Sequence, residues 1–342
     1  MDASTGCVLA PRQTQLEQEA MDKVAFIFPG QGSQAVGMGQ ALAQSSPAAA
    51  AVFDVADKAL GETISRLAWS GPEETLNLTQ NAQPALLATS IAYLEALRER
   101  WARDGATAPV PAFMAGHSMG QYSAMVAAGV ISLSDGIRLV RERGRLMQGS
   151  GDSRDGAMAA IIGLDDAAIP DLVAQAEVYG TFGVANRNAP GQVVVSGERA
   201  AIEAGAEIAR SLGAKRAIVL PVSVAAHSPL MAGAATAMRE VLADVAFSDP
   251  MVPLLANADA TVLDTAEACR RELVAHLTAG VDWVRAVESM VGAGVTVFIE
   301  VGPGRVLTGL TKRVSDHAAT YATDDPAAPD RLGVLNLSPD SA

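Results

Sequence analysis

The segment Gly116-His-Ser-Met-Gly120 places a serine between two glycines and decides how this chain is interpreted. The apolar run before it, residues 108–115, predicts a buried strand, and residues 121–128 predict a helix. Ser118 therefore lies at a sharp strand-to-helix turn, the form of a nucleophile elbow, where glycines remove Cβ clashes. Because the first N–H groups of the helix would face a developing oxyanion, the segment indicates an enzyme that transfers or hydrolyses acyl groups.

Helices and short apolar strands alternate on both sides of this elbow, which predicts an α/β fold. After a polar break, residues 154–222 have the order βαββαβ, which is typical of a ferredoxin-like unit. We expect this unit to be a small subdomain inserted into a large one made of residues 22–153 and 223–316. Residues 1–21 are expected to be a disordered extension and residues 317–342 a polar tail.

Composition narrows the class of protein. At 342 residues and 49% hydrophobic content the chain can bury a large core. Its net charge of −13, without any run of Lys or Arg, argues against nucleic-acid binding. No stretch approaches the ~18 apolar residues of a membrane span. The two cysteines, Cys7 and Cys269, form no C-x-x-C pair and lie near no histidines at ligand spacing. Neither a disulfide framework nor a zinc site is therefore expected. Because disulfides are rare in the reducing cytoplasm, the cytoplasm is the expected compartment.

A serine nucleophile needs a base, and the chain has four histidines: His117, His227, His276 and His317. His117 stands on a strand end, where its side chain should point away from Ser118. His227 follows the strand 220–226 and precedes Ser228-Pro229, a good helix start, so we expect it to be the base. The alternative is a structural histidine bonded to the backbone. No acidic third member of a triad is evident, which leaves a backbone carbonyl as the candidate orienting group.

Two further features bear on the substrate. The loop Phe28-Pro-Gly-Gln-Gly-Ser-Gln34 can bring backbone N–H groups close to a ligand, and Gln31 is a candidate second oxyanion donor. Arg143 lies on a predicted helix with apolar neighbours and can turn inward, where its guanidinium suits a carboxylate. Since anionic substrates would meet an unfavourable overall charge, local cations matter, and the candidates are Arg138, Arg141, Arg143, Arg145, Arg305, Lys312 and Arg313.

With these segments in order, residues 21–314 resemble the malonyl-CoA:acyl carrier protein transacylases and the related acyltransferase domains of polyketide synthases. Besides the elbow and the Gln31 loop, the matching segments are Thr79-Gln-Asn-Ala-Gln-Pro-Ala85, Arg143-Gly-Arg-Leu-Met-Gln148, Asn186-Arg-Asn-Ala-Pro-Gly-Gln192, Val222-Ser-Val-Ala-Ala-His227, Glu300-Val-Gly-Pro-Gly304 and Leu310-Thr-Lys-Arg313. The resemblance implies an α/β-hydrolase-like large subdomain with a ferredoxin-like small one.

The resemblance also implies roles for residues. Ser118 would be acylated, His227 would act as base and then acid, and Arg143 would hold the malonyl carboxylate. The remaining implied roles are oxyanion N–H groups from Gln31 and Met119, substrate contacts from Gln83, His117 and Asn188, and orientation of His227 by the main-chain carbonyl of His276. The implied partners are malonyl-CoA and holo acyl carrier protein, with possible docking through Lys312 and Arg313; no cofactor or metal is implied.

Three positions depart from the family pattern. Gln121 stands where a glutamate is common, and His276 stands where relatives have a glutamine. Ala226 precedes His227 and leaves room for a branched extender unit, such as methyl- or ethylmalonyl, whereas Met119 favours malonyl. The alternative functions are therefore an acyltransferase for a branched unit, an acyl hydrolase that passes the acyl group to water, and a non-catalytic docking or scaffold subunit.

Overall fold

The structure is a computed structural model that describes residues 22–153, 155–222 and 224–324. Its strands are β1 Val24–Phe28, β2 Phe113–Gly116, β3 Gly156–Ile162, β4 Phe182–Ala189, β5 Gln192–Glu198, β6 Arg216–Val219, β7 Leu254–Leu255, β8 Val262–Leu263, β9 Val281–Asp282, β10 Val297–Glu300 and β11 Ala319–Ala322. Its helices are α1 Gln40–Ser45, α2 Pro47–Leu60, α3 Ile64–Ser70, α4 Glu73–Leu76, α5 Thr79–Arg103, α6 Gly120–Ala127, α7 Leu133–Ser153, α8 Ile169–Ala176, α9 Arg199–Ser211, α10 Ala232–Ala243, α11 Ala266–Ala275, α12 Trp283–Gly292 and α13 Val306–Val314. The predicted α/β class is confirmed.

The first sheet has the strand order β11-β10-β1-β2-β7-β8, and its pairs are parallel except β7 with β8. All residues of β1 are buried, because helices cover both faces of this central strand. Val24, Phe26 and Phe28 pack into one apolar cluster, and Ala25 and Ile27 pack into another. The carboxyl ends of β1 and β2 therefore lie side by side in the middle of the sheet.

The second sheet has the order β6-β3-β5-β4-β9. Its first four strands are antiparallel and come from the predicted βαββαβ region, with α8 and α9 as the two helices. The fifth strand, β9, pairs parallel with β4 although it follows β8 in the chain. The sequence predicts a helix over 281–292, but α12 begins at Trp283, where the Asp282 side chain accepts a hydrogen bond from the Arg285 backbone.

Other boundaries also differ from the sequence predictions. The strand expected over 108–115 is only Phe113–Gly116, because Pro109 and Pro111 have no backbone N–H to donate. Within the predicted polar tail, Ala319–Ala322 form β11 and pair parallel with β10. Residues 1–21 and 325–342, expected to be a disordered extension and the rest of that tail, lie outside the described residues. Among the helices that the structure describes, none is both long and apolar enough to cross a membrane.

Candidate active site

The turn between β2 and α6 holds Ser118 in a strained conformation. Its φ angle is +52°, which residues other than glycine rarely adopt. The two flanking glycines make the turn possible. A Cβ on Gly116 would lie 2.0 Å from the Gly120 carbonyl carbon, and a Cβ on Gly120 would lie 2.2 Å from the Phe28 carbonyl oxygen. Ser118 is therefore presented at the start of α6, as the sequence pattern predicts.

His227 is the histidine that contacts this serine. Its Nε2 lies 2.8 Å from Ser118 Oγ, and its Nδ1 lies 2.6 Å from the His276 carbonyl oxygen and 3.0 Å from that of Ala279. Carbonyl oxygens only accept hydrogen bonds, so Nδ1 carries the proton and Nε2 is left to accept the serine hydroxyl proton. The groups that bond to Nδ1 are therefore backbone carbonyls and not an acidic side chain. The backbone of His227 itself has a positive φ angle of +59°.

The surroundings of His227 keep its imidazole neutral. Burial and, to a smaller extent, the neighbouring Arg143 charge lower the pKa of His227 from 6.5 to about 4, against the opposing effect of the two backbone carbonyls. A neutral imidazole is the form that can take a proton. At neutral pH the His227 ring is thus in the form that can accept a proton from Ser118.

Arg143 brings a positive charge to the same place. It lies on α7 with only 1% of its surface exposed, and its Nη2 donates to Ser118 Oγ at 3.2 Å. Its carbon Cζ is 5.8 Å from the centre of the Tyr122 ring. The adjacent Gly144 lets α7 approach α5, since a Cβ there would lie 2.5 Å from the Gln80 Cα. The guanidinium is thus buried beside Ser118.

The other candidate cations have different surroundings. Arg138 pairs with Asp135, Arg145 pairs with Glu142, and the partly exposed Arg141 pairs with Glu62. These are surface pairs. Within the residues that the structure describes, no group of three His, Cys, Asp or Glu side chains is placed to hold a metal ion.

His117 and Asn188 meet across the two sheets. His117 Nε2 lies 2.9 Å from Asn188 Oδ1, and the His117 ring lies 5.8 Å from the Trp283 ring. Burial lowers the pKa of His117 below 6.5, which keeps its ring neutral. The side chain of His117 thus bonds to β4, whereas the histidine that bonds to Ser118 is His227.

The loop after β1 touches the elbow. A Cβ on Gly30 would lie 2.5 Å from the His117 carbonyl oxygen, so only glycine permits this approach. Gln31 follows directly; its side chain is exposed and donates to Thr79 Oγ1 at 3.4 Å. Met119 is fully buried at the start of α6. The backbone of the Gln31 loop and the start of α6 are therefore neighbours.

Gln83 lies deeper. It is fully buried on α5, and its Nε2 donates to Met147 Sδ at 3.6 Å. Its Oε1 is buried without a hydrogen-bond partner among the described residues. The structure thus places Gln83 at the interface of α5 with α7, the helix that also carries Arg143.

Three further residues support the elbow; the sequence singled out Gln121 only as a departure from the family pattern, and Asn257 and Glu272 were missed. Gln121 Oε1 accepts from the Gly116 backbone at 3.1 Å and its Nε2 donates to the Leu255 carbonyl at 3.0 Å, so the amide supports the elbow without a charge. Asn257 Oδ1 accepts from the Ser118 backbone N–H at 2.8 Å, and Glu272 accepts from the Asn257 backbone. The available sequence signal for Asn257 is its position directly after the apolar residues 252–256, whereas Glu272 has no such signal.

Comparison with known proteins identifies the family of this chain. The family model described as acyl transferase domain matches residues 25–326. The malonyl CoA-acyl carrier protein transacylase of Escherichia coli K12 is 45% identical over 308 residues, covering 90% of this chain and 98% of that protein.

Solved structures that resemble this chain include malonyltransferases. An acyl carrier protein S-malonyltransferase from Vibrio cholerae has a TM-score of 0.85 at 42% identity, covering 91% of this chain and 100% of that one. A malonyl-transacylase in complex with its type II PKS acyl-carrier protein has a TM-score of 0.85 at 41% identity, covering 93% and 100%. The chain belongs to the acyl transferase domain family and, within it, to the group of the malonyl CoA-acyl carrier protein transacylases.

Proposed function

We propose that this protein transfers a malonyl group from malonyl-CoA to the phosphopantetheine thiol of an acyl carrier protein, for fatty-acid or polyketide synthesis, in the cytoplasm. One observation carries the proposal: a serine hydroxyl at an elbow contacts both a neutral histidine, at 2.8 Å, and a buried arginine, at 3.2 Å. The first contact supplies a base, and the second supplies a cation for the free carboxylate of malonate.

The reaction has two halves. Ser118 Oγ attacks the thioester carbonyl of malonyl-CoA while His227 Nε2 takes the serine proton, and the C–S bond breaks as CoA leaves with that proton. In the second half, the carrier-protein thiol gives its proton to His227 and attacks the malonyl ester. The C–O bond to Ser118 then breaks, and His227 returns the proton to the serine oxygen.

Arg143 would select the acyl group. Its guanidinium is buried next to Ser118, so an ester on Ser118 would place the far end of the acyl chain near a positive charge. A carboxylate satisfies that charge, and a methyl group does not. The substrate class is therefore short dicarboxylic acyl groups, of which malonyl is one.

The oxyanion would be stabilised by backbone N–H groups of Met119 and Gln31. The N–H of Ser118 is already engaged by Asn257 Oδ1, at 2.8 Å, so other donors are required. Met119 directly precedes the first residue of α6, and the loop of Gln31 touches the elbow at Gly30. Both positions suit a charge that develops next to Ser118.

Gln83, His117 and Asn188 would complete the substrate site. The hydrogen bond of 2.9 Å between His117 and Asn188 supports a role for these two side chains as a fixed polar surface of the substrate site, where the two sheets meet. The unpartnered Oε1 of Gln83 supports a role for this amide beside Arg143 in the acyl pocket. His276 would serve through its carbonyl oxygen, which is 2.6 Å from His227 Nδ1.

Carrier-protein docking would involve Lys312 and Arg313 at the end of α13. Lys312 is exposed. Arg313 donates to the Pro190 carbonyl at 2.8 Å and also to Gln192, so part of its function is structural. The relative solved in complex with an acyl-carrier protein supports a protein partner for this chain as well.

The proposal includes the finer architecture. Residues 22–153 and 223–316 would form an α/β-hydrolase-like large subdomain, and residues 154–222 an inserted ferredoxin-like one. The strand order β6-β3-β5-β4 supports the ferredoxin-like assignment. The strand β9 lies outside these bounds but extends the second sheet, which supports close attachment of the small subdomain to the large one.

Intact-mass spectrometry after incubation with malonyl-CoA, methylmalonyl-CoA or acetyl-CoA tests the proposal. We expect a malonyl adduct on Ser118 that moves to added holo acyl carrier protein. Loss of the adduct to water at the same rate without the carrier would favour the hydrolase, and a preferred methylmalonyl adduct would favour a branched unit. The Ser118→Ala variant, which lacks the nucleophile, should form no adduct.

A further inference from the structure

The backbone N–H of the nucleophile is held by a side chain from another strand. Asn257 lies two residues beyond β7 and is 4% exposed. Its Oδ1 accepts from the Ser118 N–H at 2.8 Å. The Asn257 side chain therefore bonds to the residue whose φ of +52° is strained, and a hydrogen bond of this kind offsets the tendency of the serine to relax into an ordinary conformation.

Asn257 is itself fixed on both sides of its backbone. Its N–H donates to Glu272 Oε1 at 2.8 Å, and its carbonyl accepts from the Asp282 N–H at 2.7 Å. Glu272 lies on α11 with 7% of its surface exposed. A chain of hydrogen bonds thus runs from α11 through Asn257 to the nucleophile.

The Glu272 carboxylate is an unusual group in such a place. Burial raises its pKa to about 7, although the hydrogen bonds from Asn257 lower it. Burying a carboxylate is costly unless it is bonded, and Asn257 supplies that bond. Neither residue contacts Ser118 Oγ or the His227 ring through a hydrogen bond in the described structure. Their effect on the reaction must therefore pass through the position of the serine.

We infer that Asn257 and Glu272 are positioning residues that hold the Ser118 elbow in its reactive geometry. This inference rests on the proposed role of Ser118 as nucleophile. It assigns the two residues no contact with the substrate, so their loss should lower kcat for acylation without changing KM. A misplacement of about 1 Å at a reacting atom can reduce a rate about 100-fold.

The test compares substitutions that keep or remove the hydrogen-bond acceptor. Asn257→Leu and Asn257→Ala remove it, whereas Asn257→Asp keeps an oxygen. Glu272→Leu removes it, and Glu272→Gln keeps it. Glu267→Leu is the matched control, because Glu267 lies on the same helix α11 with an exposed side chain. Circular dichroism and melting temperature establish that each variant is folded.

Two readouts separate this inference from the proposed function. The first is the malonylation rate of Ser118 with malonyl-CoA, and the second is the rate of its sulfonylation by phenylmethylsulfonyl fluoride, which forms an O–S bond and releases fluoride. We expect Asn257→Leu and Asn257→Ala to slow both about 100-fold, with KM for malonyl-CoA within about threefold of the wild type. Glu272→Leu should slow both about tenfold, and the two acceptor-keeping variants should recover most of the rate.

Folded acceptor-free variants that react at the wild-type rate, or that change only KM, would overturn the inference. If Asn257→Leu does not fold, the comparison of Asn257→Ala with Asn257→Asp decides in the same way. If the wild type takes no malonyl group but its sulfonylation depends on Asn257, the proposed function fails and the inference stands. If the wild type is malonylated and substitution of Asn257 does not change the rate, the proposed function stands and the inference fails.

Discussion

Arg143 donates a hydrogen bond from Nη2 to the hydroxyl oxygen of Ser118, at 3.2 Å, from a position that is 1% exposed. Among the described residues no acidic side chain lies within ion-pair distance of this guanidinium, and its Nε has no hydrogen-bond partner. An unpaired buried cation costs free energy, and an arriving carboxylate recovers part of that cost. The arrangement therefore favours an anionic acyl group.

Replacing Arg143 should change which acyl group is accepted. For Arg143→Ala we expect kcat/KM for malonyl-CoA to fall about 100-fold or more, because the carboxylate then enters a buried site without a cation. Acylation by acetyl-CoA should be unaffected or faster. The measurement is the rate of adduct formation with each donor. Arg138→Ala is the control, since Arg138 lies on the same helix and pairs with Asp135 at the surface. An unchanged preference for malonyl over acetyl would contradict the assigned role.

The rate of reaction at Ser118 should fall only at an unusually low pH, which we call the acid limb of its pH profile. Serine attack requires neutral His227, whose pKa is lowered to about 4, so sulfonylation of Ser118 should stay constant from pH 7 to 5 and be half lost near pH 4. In Arg143→Ala the limb should move to higher pH, because the cation that disfavours imidazolium is gone. Circular dichroism at each pH confirms that the protein is folded. A limb near pH 6.5 in the wild type would contradict this picture.

The elbow and its partners were predictable because each has a local signature. Gly116 and Gly120 flank the serine in sequence, and His227 precedes a helix start at the end of a strand. By contrast, nothing local indicates that β9 joins the second sheet or that Ala319–Ala322 add a strand to the first, because segments of two to four residues are identified by their partners. Asn257 and Glu272 were missed for the same reason: their function depends on contacts across 139 and 15 positions in the chain.

His276 should be replaceable by glutamine without loss of catalysis. His227 uses its carbonyl oxygen, at 2.6 Å, which any residue supplies, whereas both ring nitrogens of His276 are buried without a hydrogen-bond partner among the described residues. We expect transfer by His276→Gln within about threefold of the wild type, measured as malonyl transfer to carrier protein. A larger loss would indicate that the ring itself takes part.

The same variant should change the pH dependence of stability. Burial lowers the pKa of His276 well below 6.5, so below that pH the unfolded chain binds a proton that the folded one does not. The free energy of unfolding therefore falls as pH drops from 7 to 5. Glutamine does not titrate, so the slope should be smaller in His276→Gln, measured by urea unfolding at both pH values. Equal slopes would contradict the shift.

Lys312 should affect the second half of the reaction alone. For Lys312→Glu we expect KM for the carrier protein to rise about fivefold at low salt, with a smaller effect at high salt, because an exposed charge acts through screened electrostatics. The rate of adduct formation from malonyl-CoA should not change. Lys58→Glu, a reversal at another exposed lysine, is the control. Equal effects of the two reversals would place docking elsewhere.

The packing of α7 on α5 should limit substitution at Gly144 but not at Gly149, although both glycines lie on α7. A Cβ on Gly144 would lie 2.5 Å from the Gln80 Cα and 2.7 Å from the Thr79 carbonyl oxygen, whereas one on Gly149 would meet nothing within 4 Å. Gly149→Ala should therefore stabilise the protein by about 0.5–1 kcal/mol through helix propensity. Gly144→Ala should destabilise it by about 1–3 kcal/mol, because the helices must separate.

Since Arg143 is the adjacent residue, the folded fraction of Gly144→Ala should also lose preference for malonyl over acetyl donors. Thermal unfolding and donor competition measure the two effects, and a Gly144→Ala protein as stable and selective as Gly149→Ala would show that α7 does not set the position of the guanidinium.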